Sequence, residues 1–240
     1  MPDTTFHSDY RIEPVGERCL LIRFGSKVDA EVSHRVHLAS AVLSAAALPG
    51  VQDVVAALTT VAVHYLPQAL PGPGRPYTQM RERVHLALAA QGQTLAVSSR
   101  QLDIPVCYGG RHGPDLEEVA QRCKLLPSEV IERHGAAELT VYAFFFAPGH
   151  PFCGPVPEEL RLPRRATPRT RVPAGSVATA NGLSTIYQTA SPGGWHIIGR
   201  TPMSVFDLNR DPPCTLAVGD RIRFVPITEA AFDSYEGERP

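Results

Sequence analysis

Short runs of alternating apolar and polar residues open the chain. Tyr10–Val15 and Cys19–Phe24 read as strands joined by Gly16-Glu17-Arg18, a hairpin-length turn. The period then changes. Behind Asp29, Val32, Val36, Ala39 and Leu43 recur at spacings of four, three and four, which places them on one face of a helix. Pro49-Gly50 stops it. The order then repeats. Val51–Ala57 and Thr60–Tyr65 read as two more strands, the second with Val61, Val63 and Tyr65 on a buried face. After a Pro/Gly loop at 71–76, the stripe Tyr77, Met80, Val84, Leu88 marks a second helix. A ββαββα unit covers one face of its sheet with both helices, so the pattern predicts an α+β sandwich over residues 1–95. No catalytic constellation stands out there. His34 and His37 lie three apart on the first helix, off its apolar stripe, and read with His64 and His85 as solvated surface histidines. Residues 91–100, polar and without a period, mark the domain boundary.

The second half, residues 100–235, reads as mainly β with a helical insert near 114–134. Leu102–Tyr108 is a strand. Pro114-Asp115 starts a helix, with the carboxylate placed to accept from the free backbone N–H groups of the first turn. Leu116, Val119, Ala120 and Cys123 form its inner face. A second short helix begins at Pro127 and ends at Arg133-His134-Gly135, where the partial negative charge of the helix terminus is expected to favour imidazolium at His134. Leu139–Phe146 is the most apolar run and reads as a central strand. From Leu162 to Arg200, strand-like runs (Ser176–Ala180, Ser184–Tyr187, Trp195–Gly199) alternate with turn signals, among them Ser191-Pro192-Gly193-Gly194. Asp220 reads as a turn residue before a last strand, RIRFVPI. The sum is a small β-barrel with arginines near its mouth.

Composition removes several classes of function. Of the 240 residues 43% are hydrophobic and 20% charged, with a net charge of −1, which gives no electrostatic footprint for nucleic acid or an anionic membrane. No apolar run reaches the roughly 18 residues of a membrane span, and the start lacks the profile of a secretory signal, so a cytoplasmic location is expected. Five cysteines in no CxxC spacing, and no HExxH, predict no metal site. A phosphate loop, a dinucleotide fingerprint and a GxSxG elbow are all missing, and Ser176 has no general base beside it in sequence.

What remains is the arginine set. Arg164, Arg165, Arg169, Arg171 and Arg200 can present guanidinium forks to a carboxylate or phosphate. Arg164 and Arg165, as neighbours, point to opposite sides, so two or three at most share a site. Trp195 reads as a core ring.

Several long motifs carry a family resemblance. PRRATPRTRVPAGSV, IY, SPGGWHIIGRTP, the run from Cys107 to Ala120, Arg133-His134, Ala147-Pro148-Gly149 and VGDRIRF occur in order. With these the chain resembles the Kip-inhibitor-type family, which includes the B-type subunit of 5-oxoprolinase and is often labelled allophanate hydrolase subunit 1. The resemblance implies a cyclophilin-like barrel after the N-terminal domain, and membership of an ATP-dependent complex that opens the lactam 5-oxoproline to glutamate. It further implies partners of two kinds, a homologous barrel-containing C-type subunit and an A-type subunit. ATP with Mg would act at the level of the complex, none being bound by this chain alone. His134 would be an acid/base, Arg164, Arg169 and Arg200 would anchor the substrate carboxylate or a phosphoryl group, and Tyr187 would orient the substrate. Two other activities occur under the same family labels: inhibition of histidine kinase autophosphorylation, and a subunit of an allophanate- or urea-type amide hydrolase. The chain departs from the family pattern at Gly135, Phe145, His150, Phe152, Leu183, Ser184, Thr185 and Gln188. A ring at a glycine position and a lost phenol alter a pocket's shape and its hydrogen bonding.

Overall fold

The computed structural model describes residues 10–90 and 100–236, which fall into two compact units. The expected boundary at 91–100 lies, but for Arg100, outside the described residues.

In the first unit, β1 (Arg11–Pro14), β2 (Cys19–Arg23), β3 (Val51–Ala56) and β4 (Thr60–Tyr65) form an antiparallel sheet in the order β1-β2-β4-β3. Helices α1 (Ala30–Ala45) and α2 (Pro76–Ala90) follow each strand pair. Alternation puts Leu20 and Ile22 of β2, and Val61, Val63 and Tyr65 of β4, on one face, where they meet Val36, Ala39 and Leu43 of α1 and Met80 and Val84 of α2. Asp29 caps α1 by accepting from Val32 N–H at 2.8 Å. The α+β sandwich is present. Two histidines are not where expected. His37 is buried and lies 3.4 Å from the Ser33 hydroxyl, because the buried face of α1 is wider than its aliphatic stripe. His85 is half-buried and bonds the Tyr10 hydroxyl at 2.9 Å.

In the second unit, β5 (Gln101–Tyr108) leads into α3 (Leu116–Cys123) and α4 (Pro127–Ala136). Then follow β6 (Leu139–Phe144), β7 (Pro151–Gly154), β8 (Arg169–Val172), β9 (Ser176–Ala180) and β10 (Leu183–Ile186). The unit ends with β11 (Ser191–Gly193), β12 (His196–Arg200), β13 (Arg221–Pro226) and the short helix α5 (Glu229–Asp233). Among the described residues seven strands close a barrel in the order β10-β7-β6-β13-β5-β12-β9, with β9 pairing back to β10. The β9–β10 hairpin turns on Asn181 (φ 53°) and Gly182 (φ 78°), the two left-handed residues that a two-residue loop requires. The last strand pairs with the first in parallel, Arg221 opposite Gln101 through Pro226 opposite Val106. The core holds Ile104, Val106, Val141, Val177, Ile198 and Phe224, with Leu116, Val119 and Val130 of the two helices packed on it.

Three local expectations change. The strand read as Leu139–Phe146 stops at Phe144; Phe145 and Phe146 turn outward into solvent, and Phe146 takes φ 78°. Ser191–Gly193, read as a turn, is a strand that pairs with β8 in a separate ribbon. α4 starts without a side-chain oxygen at Leu126; instead Glu129 reaches back to accept from Leu126 N–H at 2.7 Å. No described helix is long and apolar enough to cross a membrane.

Candidate functional site

His134, at the end of α4, points into the barrel and is 0% exposed. Its ring stacks on Phe224 with centroids 4.8 Å apart, and both nitrogens are occupied: Nδ1 by the Tyr108 hydroxyl at 2.8 Å, Nε2 by Ser184 Oγ at 3.0 Å. Ser184 donates its proton to the Ala178 carbonyl at 3.2 Å. The network therefore assigns the proton: Nε2–H donates to Ser184, and Nδ1 accepts from Tyr108. The expectation of a raised pKa is overturned. Burial holds His134 down to about 3, because removing a cation from water outweighs the field of a helix terminus. A neutral, doubly bonded imidazole sealed in the barrel ties α4 to β5 and β10.

The arginines divide by their partners. Asp115, at the start of α3, does not cap that helix. Its carboxylate takes the Arg169 fork in two hydrogen bonds, 2.8 and 2.6 Å, together with Arg165 at 3.0 Å and Ile197 N–H at 2.7 Å. Two guanidinium groups and a strand amide have outcompeted the helix's own N–H groups. Arg165 also reaches Glu118 at 3.0 Å. Arg200 donates from Nε to the Ala174 carbonyl at 2.7 Å and lies 5.8 Å over the Phe232 ring of α5. Arg164 is different. It is exposed and has no acidic partner among the described residues. Its side chain passes over Gly194, near Tyr187. Of the residues expected to form the site, the fold thus brings Tyr187, Arg164 and Arg169 together. His134 lies on the inner side of the barrel wall, and Arg200 is held at the Ala174 loop.

Alternation along β10 puts Ser184 and Ile186 inside the barrel and Thr185 and Tyr187 outside. On the outer face Tyr187 joins an aromatic cluster. His150 meets Tyr187 edge-on at 4.9 Å and Phe152 at 5.1 Å; Phe152 meets Trp195 edge-on at 5.5 Å and carries Phe145 stacked at 3.7 Å. Phe146, in its left-handed conformation, stands edge-on to His150 at 5.3 Å. His150 and Tyr187 are 3% exposed and Trp195 is 8% exposed. Yet the imidazole, the phenol and the indole N–H make no hydrogen bond among the described residues, and none is sealed from solvent. Nearly buried polar groups are ordinarily bonded within the protein, so three that reach solvent in one cluster are the candidates for contact with a ligand. Burial raises the Tyr187 pKa, while Arg164 and Arg169 oppose that rise. Burial lowers His150 to about 4, so it is neutral at physiological pH.

Sequence reading missed His150, Phe152 and Asp115 as parts of this arrangement and placed Trp195 only in the core. The signal for His150 was its departure from the family pattern. The Asp115 links join residues 54 and 82 positions apart and left no local trace. Gln188, another departure, is spent on the fold: it accepts from Val205 N–H at 3.1 Å and donates to Ser204 at 3.3 Å.

The family model "Carboxyltransferase domain, subdomain C and D" matches residues 10–216. A Bacillus subtilis protein named as the B-type subunit of 5-oxoprolinase is 38% identical over 237 residues, which is 95% of this chain and 98% of that protein. The crystal structure of TTHA0988 superposes with a TM-score of 0.77 at 35% identity, over 93% of this chain; the chain spans only 41% of that longer protein. Kluyveromyces lactis urea carboxylase shares the fold, with a TM-score of 0.74 at 18% identity over 93% of this chain and 22% of its own. The chain belongs to the carboxyltransferase subdomain C and D family, the Kip-inhibitor-type proteins that its motifs resemble.

Proposed function

We propose that this chain is the B-type subunit of an ATP-dependent 5-oxoprolinase complex, which hydrolyses 5-oxoproline to glutamate together with A-type and C-type subunits. The observation that carries the reading is end-to-end similarity to a protein named as that subunit, over 95% of one chain and 98% of the other. The outer-wall cluster supports it. A five-membered lactam bearing a carboxylate needs a flat apolar seat, a cation and donors for its carbonyl oxygen. Phe152 and Trp195 offer the seat, Arg164 a cation with no acidic partner among the described residues, and Tyr187 and Trp195 the donors.

A lactam carbonyl is a poor electrophile, and in this reading ATP, a substrate of the complex, activates it by phosphorylating the carbonyl oxygen before water attacks. This chain's part is to bind and orient the lactam. Donors directed at the carbonyl oxygen orient the ring in its seat, and the activation itself comes from the phosphoryl transfer. His134 serves as a positioning group inside the wall, and Arg169 holds the β8–β11 ribbon, whose end at Gly193 and Gly194 lies against Tyr187 and Arg164.

The test is reconstitution. The chain is captured from its native cells with its partners, and ADP release dependent on 5-oxoproline is measured with and without it. Turnover that requires this chain supports the reading; a complete A- and C-type complex that turns over equally well without it ends it.

A further inference from the structure

The three open polar groups on the outer wall are not equivalent. The Trp195 indole N–H can only donate, and a phenol at physiological pH donates most readily. The neutral imidazole of His150 is the member of the cluster with a basic, in-plane lone pair on nitrogen. It sits edge-on to Tyr187 at 4.9 Å, so its ring and the phenol border the same space. A five-membered lactam is a secondary amide held cis by its ring, so its N–H and carbonyl oxygen lie on the same edge. With Tyr187 and Trp195 donating and the bare imidazole nitrogen accepting, the cluster complements it with the carbonyl toward Tyr187 and Trp195 and the N–H toward His150.

We propose that His150 is a specificity-determining residue that accepts the ring N–H of a cyclic secondary amide, so that the site selects lactams with a free N–H over N-substituted ones. The proposal rests on the lactam reading above and adds to it a residue and a rule of selection. Its support is local to this chain. The imidazole is 3% exposed, has no hydrogen bond among the described residues, and stands between the Phe146, Phe152 and Tyr187 rings, which hold it in place without using its nitrogens. Burial depresses its basicity to about 4, which keeps the lone pair available rather than protonated. A methyl group on the ligand nitrogen removes the proton that His150 would accept and adds bulk at the same point, and sites built on a buried polar contact reject such analogues strongly.

The experiment compares complexes reconstituted with the natural chain, with His150→Phe and with His150→Gln. The readouts are KM and kcat for 5-oxoproline and the inhibition constant of N-methyl-5-oxoproline. The natural chain should bind the N-methyl compound roughly tenfold or more weakly than 5-oxoproline. His150→Phe keeps the ring packing and should raise KM more than it lowers kcat, and it should abolish the preference. His150→Gln, which retains an acceptor, should recover part of it. An unchanged preference in His150→Phe overturns the proposal while leaving the 5-oxoprolinase reading intact. If the natural complex has no 5-oxoproline turnover, that reading fails. The proposal is then decided on the isolated chain, whose single tryptophan, Trp195, reports the site by fluorescence. Quenching by 2-pyrrolidone but not by N-methyl-2-pyrrolidone, lost in His150→Phe, sustains it. Equal or absent quenching by the two ends it.

Discussion

Arg169 and Asp115 meet fork to fork, two hydrogen bonds of 2.8 and 2.6 Å joining residues 54 positions apart. The pair fastens the β8–β11 ribbon to the first helical turn of α3, and the same carboxylate holds the Ile197 amide of β12. Removing the guanidinium leaves a buried carboxylate short of partners, a loss of about 3 kcal/mol. Arg169→Ala should therefore lower the urea midpoint of the isolated chain, and Arg169→Lys should recover little, since an ammonium cannot reproduce the fork. A midpoint unchanged in Arg169→Ala would show that the pair contributes no net stability.

Arg164 should behave in the opposite way. It is exposed and without an acidic partner among the described residues, so Arg164→Ala should leave stability within about 0.5 kcal/mol. In the reconstituted complex the same change should raise KM for 5-oxoproline roughly tenfold or more, the loss of a charge-assisted contact. Steady-state kinetics beside a urea melt separates the two arginines; loss of stability without change in KM would reverse their assignment.

The buried histidine gives a pH dependence with a definite sign. His134 stays neutral in the folded chain down to about 3, whereas the unfolded imidazole takes up its proton near the ordinary 6.5. Between these values the unfolded state holds the extra proton, so stability declines as pH falls, by up to about 1.4 kcal/mol per pH unit. Above 6.5 neither state is protonated, and below 3 both are, so the slope vanishes at each end. His134→Gln should be less stable at neutral pH by about 1–3 kcal/mol, through disturbed hydrogen bonds to Tyr108 and Ser184, yet show the shallower decline in acid. Urea midpoints taken from neutral pH downward decide this, and parallel declines for the two chains would refute it.

Gly193 offers a test of where the phenol lies. A Cβ there would come within 2.3 Å of the Tyr187 hydroxyl oxygen and 2.8 Å of the adjoining ring carbon. Gly193→Ala should cost about 1–3 kcal/mol through overpacking and displace the phenol from the site. Combined with Tyr187→Phe, part of that loss should return, because the nearest clashing atom is gone. A double-mutant cycle measures the coupling, and strict additivity would mean that the two groups do not touch.

The N-terminal sandwich was legible because its core is written locally. Val36, Ala39 and Leu43 recur with the helical period, and Val61, Val63 and Tyr65 with the strand period, so each element declares its own buried face. The barrel was legible as strands but not as a closure. Nothing local tells that Arg221–Pro226 runs parallel to Gln101–Tyr108, because that pairing joins opposite ends of the unit. The same holds at the site. Tyr187 and the arginines could be named from residue type and motif, but that Asp115 engages Arg165 and Arg169 is a property of the fold. His134 misled for a related reason: its place at a helix end is visible in sequence, and its enclosure by Phe224, Tyr108 and Ser184 is not.

The parallel pairing of β13 with β5 sets an order on synthesis. In the finished sheet β13 stands between β5 and β6, so while it is still inside the ribosome the nascent unit carries two long strands with bare inner edges. Such edges invite pairing with other chains, and the contacts that would cover them, such as Arg221 with Gln101 and Arg221 with Thr140, are far apart in sequence and slow to achieve. The newly made unit therefore passes its most vulnerable interval just before β13 emerges, and that strand acts as the keystone that turns an open, adhesive sheet into a sealed wall.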